Sequence, residues 1–116
     1  MICPYGNKNT EELVTLKIEG LTITKPKLCT TYKEAKGNIP KGFRLPEQWE
    51  LFKIFSKMKN RKKLSDKTYM FFWSSLIEDN YVKGLCLSRN LDMSSGDENL
   101  ADSSSYGRVI WIKVTE

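Results

Sequence analysis

The sequence predicts one α+β domain built mainly on an antiparallel sheet. Three observations carry this: β-prone segments joined by short polar turns, an amphipathic helical segment opening near Pro46, and a final third dominated by aromatic-rich strands. At 116 residues with 40% apolar and 11% aromatic content, residues 1–116 suffice for one core and are too few for two.

Leu13-Val14-Thr15-Leu16-Lys17-Ile18 is β-prone, and Glu19-Gly20 turns it into Leu21-Thr22-Ile23-Thr24, giving an N-terminal hairpin over residues 13–24. After Lys25-Pro26-Lys27, Thr30 or Thr31 caps a short helix through Tyr32, Glu34 and Ala35 that Gly37-Asn38 and Pro40 end. The main helix runs from about Pro46 to about Met58, because Pro46 suits a first helical position and Glu47 and Glu50 suit the positive end of the dipole. From Trp49, the residues Leu51, Phe52, Ile54, Phe55 and Met58 make the buried stripe, with Lys53, Lys57 and Lys59 away from it.

Residues 60–67 read as a polar connection. Thr68-Tyr69-Met70-Phe71-Phe72-Trp73-Ser74-Ser75 is a largely buried strand, Glu78-Asp79-Asn80 a turn, and residues 81–88 a further strand. Residues 92–105 hold Ser94-Ser95-Gly96 and Ser103-Ser104-Ser105 and read as a long polar loop. Arg108 to Val114 is the closing strand.

Gly42-Phe43-Arg44-Leu45-Pro46 with Trp49-Glu50-Leu51 behind it, Thr31-Tyr32-Lys33-Glu34-Ala35, Phe72-Trp73-Ser74-Ser75 and Tyr106-Gly107-Arg108-Val109-Ile110 occur in that order. Together they resemble motifs of the Lcl C-terminal and major-paralogous-domain families, related to the formylglycine-generating sulfatase-modifying domains. The resemblance covers residues 30–116. It implies a compact C-type-lectin-like domain with paired terminal strands, two flanking helices and a long polar recognition loop. The calcium-ligand triplets of sugar-binding lectins are absent, so calcium-dependent carbohydrate binding is not implied. The cysteines also do not match the active-site pair of the formylglycine-generating enzymes.

The chain contains no histidine, which excludes Ser-His-Asp, Cys-His and His-metal chemistry. Cys3, Cys29 and Cys86 are an odd number at unrelated spacings and fit neither a disulfide framework nor a zinc site. They read as reduced thiols. Neither a phosphate-binding glycine loop nor an EF-hand ladder is present, so the expectation is a protein that is not an enzyme and carries no cofactor or metal.

Two candidate surfaces remain. The formal charge of +5 concentrates in Lys53, Lys57, Lys59, Arg61, Lys62, Lys63 and Lys67, opposed only by Asp66. This suits a nucleic-acid or nucleoprotein partner. Stacking aromatics are needed as well, and Trp49, Phe52, Phe55, Phe71 and Phe72 are expected in the core, so a solvated helix end is the simpler reading. The acidic loop, with Asp97, Glu98 and Asn99 flanked by Tyr81, Tyr106 and Trp111, has the composition of a protein-recognition surface.

The expected function is therefore a non-catalytic binding module acting by protein–protein recognition, one concrete form being a phage- or mobile-element-encoded inhibitor of a host defence complex. The alternatives are a nucleic-acid binder through residues 53–67 and an exported surface or adhesin domain. No signal peptide or membrane span is visible, so a cytoplasmic location is expected.

Overall fold

In the computed structural model, which describes residues 14–66, 68–99 and 106–114, the chain folds into two mostly antiparallel sheets and three short helices. Cys3, Leu13, Lys67 and residues 100–105 of the expected loop lie outside the described residues. The N-terminal hairpin is present as β1 (Thr15–Ile18) and β2 (Leu21–Thr24), paired from Thr15↔Thr24 to Ile18↔Leu21. Its turn holds Glu19 at φ 51° and Gly20 at φ 81°, the left-handed pair that matches the twist of the flanking strands.

After β3 (Lys27–Thr30), α1 (Tyr32–Gly37) starts from a reciprocal cap. Glu34 N donates to Thr31 Oγ1 at 3.1 Å while Thr31 N donates to Glu34 Oε1 at 3.0 Å, which satisfies two amides that a helix start leaves unpaired.

The chain then passes through β4 (Phe43–Arg44) into α2 (Gln48–Ile54), and here the expected helix is corrected at both ends. Glu47 is the cap residue and Pro46 precedes it. The Pro46 carbonyl instead accepts Ser75 N at 2.8 Å, tying the helix entry to the sheet. At the far end α2 stops at Ile54, and α3 (Met58–Leu64) occupies most of the stretch expected to be a polar connection.

The break is stabilised from within. Asn60 Nδ2 donates to the Ile54 carbonyl at 2.9 Å and Arg61 Nε to the Phe55 carbonyl at 2.6 Å, so side chains of α3 satisfy carbonyls that the end of α2 leaves open. Leu51, Ile54 and Phe55 are buried as expected, whereas Trp49 is 57% and Met58 45% exposed. The buried stripe is narrower than the sequence spacing suggested.

The last third supplies β5 (Met70–Glu78), β6 (Tyr81–Leu87), β7 (Met93–Asn99), β8 (Gly107–Val109) and β9 (Ile112–Lys113). One sheet runs β3-β8-β5-β6-β7 and the other β1-β2-β9-β4. Among the described residues every pairing is antiparallel except β5 with β8.

Three expectations change here. Strand β5 begins at Met70, leaving Tyr69 exposed, and its burial ends after Ser74, where the register against β6 shifts between Trp73 and Ile77. The expected loop over 92–105 contains the full-length strand β7, because seven consecutive pairs with β6 hold a segment whose own residues carry no strand pattern. The single closing strand is two, since Ile110-Trp111 carries the chain from one sheet to the other.

Two apolar clusters lie on opposite faces of the larger sheet. Met70, Phe72, Leu85 and Leu87 pack with Leu51, Ile54, Phe55, Leu64, Ile23 and Ile112. Phe71, Trp73 and Val82 pack with Ala35, Leu45, Val109 and Trp111. Trp111 locks the sheets together: its N donates to Thr24 Oγ1 and its indole Nε1 to the Ala35 carbonyl, both at 2.9 Å. Among the described residues no helix is long and apolar enough to cross a membrane.

Candidate recognition edge

Strands β6 and β7 are built by two turns that fix their register. Between β5 and β6, Asp79 and Asn80 take φ 51° and 68°, a conformation short polar residues tolerate. Between β6 and β7, Ser88 Oγ accepts Asn90 N at 3.2 Å and Asp92 N at 3.0 Å, while Ser88 N donates to the Asp92 carbonyl at 2.9 Å. Pairing then runs unbroken from Leu87↔Met93 to Tyr81↔Asn99.

Because successive strand residues point to opposite faces, this register sorts the candidate residues. Tyr81, Lys83, Asp97 and Asn99 share one face, on which Lys83 Nζ lies 3.2 Å from Asp97 Oδ2 and 4.0 Å from Glu78 Oε1. Glu98 is on the other face, opposite Val82.

On that second face Tyr69 Oη is 3.1 Å from Cys86 Sγ. This hydrogen bond, with burial and the negative charge of Glu98 added to it, pushes the Tyr69 phenol up to about 12. Gly96 has no room for a side chain, since a Cβ there would meet Cys86 Sγ at 2.4 Å. Beneath the outer strand this face is therefore closely packed.

Of the residues expected to bind protein, the fold gathers Tyr81, Asp97, Glu98 and Asn99 at one end of the β6–β7 ladder. Tyr106 is exposed but belongs elsewhere: it precedes β8, which lies beyond β5 in the strand order, and Trp111 is no surface anchor, being buried with its indole N–H on the Ala35 carbonyl. Leu76 and Ile77, exposed beside Tyr81 at the tip of the β5–β6 hairpin, were not anticipated. The apolar run Met70–Trp73 hid the point at which the strand leaves the core.

The basic residues are arranged on α2 and α3. Lys53, Lys57, Lys59, Lys62 and Lys63 are exposed, whereas Arg61 is committed inward, donating also from Nη1 to the Leu91 carbonyl at 3.0 Å. Lys57 Nζ sits 3.4 Å from Glu19 Oε1. Glu19 is held below the usual carboxylate range first by the hydrogen bond from Asn60 and then by Lys57 and Lys59, with burial opposing. Among the described residues no three acidic or cysteine side chains converge as a metal site.

Comparison with models of known protein families, with curated proteins and with solved structures returns no match in any of the three.

Proposed function

We propose that the chain is a C-type-lectin-like domain acting as a non-catalytic protein-recognition module, with the β6–β7 edge as its contact surface. What supports the lectin-like reading is the placement of the resembling motifs. Gly42-Phe43-Arg44-Leu45-Pro46 leads into a helix packed on the sheet, Phe72-Trp73-Ser74-Ser75 sits where β5 leaves the core, and N- and C-terminal strands pair through β2 and β9. What carries the recognition reading is the register that gathers Tyr81, Asp97, Glu98 and Asn99 on a rigid ladder. It combines an amphipathic aromatic with hydrogen-bonding and acidic groups held in fixed positions.

The test is affinity capture from the native host with the wild-type chain and two charge-reversal variants. Asp97→Lys with Glu98→Lys removes the captured partner, and Lys59→Glu with Lys62→Glu and Lys63→Glu leaves it. The opposite pattern refutes the reading.

A second reading, polyanion binding by the α2–α3 face, gains support from Trp49. It is exposed one helical turn before Lys53, and so supplies a free aromatic beside the basic run for bases to stack on. Retention on heparin with steep salt dependence, lost in the triple lysine variant, distinguishes it.

A further inference from the structure

We propose that β7 is an open strand edge that takes up one further strand, an extended peptide with two adjacent basic residues laid along residues 93–98. This rests on the reading of the β6–β7 edge as a protein-recognition surface and adds what that surface recognises.

Strand β7 ends the five-stranded order, and among the described residues none hydrogen-bonds to the outer edge of residues 93–98. Such an edge presents a row of unpaired N–H and C=O groups. Proteins usually blunt it with proline, charged side chains (lysine above all), a bulge or very short length. Here the strand is seven residues long, its pairing with β6 shows no register shift, and Met93-Ser94-Ser95-Gly96-Asp97-Glu98-Asn99 contains neither proline nor lysine. The uncharged run from Met93 to Gly96 is left ready to pair, and the Asp97 and Glu98 charges restrict what can pair beyond it.

Its side chains specify the occupant. Ser94, Ser95 and Gly96 are small and leave space for larger residues on an added strand. Asp97 and Glu98 are consecutive and so project to opposite faces. A partner strand meets both only if it carries two adjacent bases, one for each face. A second copy of β7 is disfavoured, because pairing it with itself brings four carboxylates to one edge with no added base. Recognition by strand addition draws affinity from main-chain hydrogen bonds and selectivity from the side chains on each face.

The experiment uses the full chain and three acetylated, amidated nonapeptides. The first alternates Thr and Val around a central Arg-Lys pair. The second carries Asp-Glu at the centre, and the third is the Arg-Lys peptide N-methylated along one edge. Binding is measured together with amide hydrogen exchange over residues 93–99.

The Arg-Lys peptide binds and slows exchange of alternate β7 amides. The Asp-Glu and N-methylated peptides bind about tenfold more weakly or less, and Asp97→Lys with Glu98→Lys reverses the preference between the two charged peptides. Equal binding of the N-methylated peptide shows contact by charge alone, which overturns strand addition and leaves the recognition surface standing. Failure of the Arg-Lys peptide to bind also overturns the proposal. So does protection of the β7 amides in the free monomer, which places the chain's own residues on the edge, and so does protection that grows with dimerisation, which places a second copy there. If instead the Arg-Lys peptide adds as a strand but capture of the host partner ignores the charge reversal, the functional reading fails and this inference survives.

Discussion

Arg44 and Glu50 form a two-pronged ion pair, Nη1 to Oε1 and Nη2 to Oε2, both at 2.7 Å. The Glu50 side chain is only 3% exposed and the Arg44 side chain 40%. Glu50 Oε1 also accepts Glu47 N at 2.8 Å, so one carboxylate joins β4, the start of α2 and the residue that caps it. The Arg-Leu-Pro segment noted in the sequence owes its structural role to this pair.

Arg44→Met leaves the buried carboxylate with a backbone donor alone and destabilises the fold by about 3 kcal/mol. Adding Glu50→Leu recovers part of that loss, because no uncompensated charge remains, although the Glu47 amide is then orphaned. Urea unfolding of the two variants against wild type measures both effects. A cost below about 1 kcal/mol for Arg44→Met would show the pair to be dispensable.

The same pair sets a pH dependence. Glu50 is held below its ordinary value of 4.5, first by the Arg44 hydrogen bonds, with burial opposing and the Glu47 amide assisting. Asp66 is held below 3.8 by the Thr68 hydroxyl, again against burial, and then by Arg108, whose Nη1 lies 2.8 Å from Oδ2. Depressed carboxylates bind fewer protons folded than unfolded, so their stabilisation is complete above the ordinary values and is lost as pH falls through the folded ones. The urea midpoint therefore stays level above about pH 5 and drops below it. In Arg44→Met the drop is shallower.

Gly84 and Gly37 separate packing from conformational freedom. A Cβ at Gly84 would lie 2.1 Å from the Phe72 carbonyl oxygen and 2.7 Å from the Phe71 ring, and the backbone atom cannot swing aside. Gly84→Ala costs about 3 kcal/mol or prevents folding. Gly37, the last residue of α1, has no atom of the described residues within 4 Å of such a Cβ, and Gly37→Ala stabilises by about 0.5 kcal/mol. Thermal midpoints of the two variants move in opposite directions.

Trp49 and Trp73 differ in the same way. Trp73 is 2% exposed and packs edge-on against Phe71, ring centroids 5.0 Å apart. Trp73→Ala costs about 3–5 kcal/mol, whereas Trp49→Ala changes stability by less than about 0.5 kcal/mol. Tryptophan fluorescence provides a companion check, because loss of Trp49 removes the most red-shifted, most quencher-accessible component.

The contrast between these tryptophans shows what was legible before the fold. Features decided by neighbouring residues were readable: the Glu19-Gly20 and Asp79-Asn80 turns, a threonine cap at Thr30 or Thr31, of which the fold uses Thr31, and the apolar run Met70–Trp73. Features decided by distant partners were not. The chain breaks at Phe55 because Asn60 and Arg61 satisfy the carbonyls there, and a basic polar run gives no apolar period to reveal α3. Strand β7 is held by its pairing with β6, and its residues alone look like a loop. The candidate surface was half readable: the acidic residues were identified, but their division between two faces follows from a register that only the fold supplies.

Protein recognition by this chain requires that a partner bind at the outer edge of β7. Hydrogen exchange with the captured host partner reads this directly: protection rises over residues 93–99 and at Tyr81, with residues 53–64 unchanged. Protection confined to residues 53–64, with β7 exchanging as in the free chain, would contradict it.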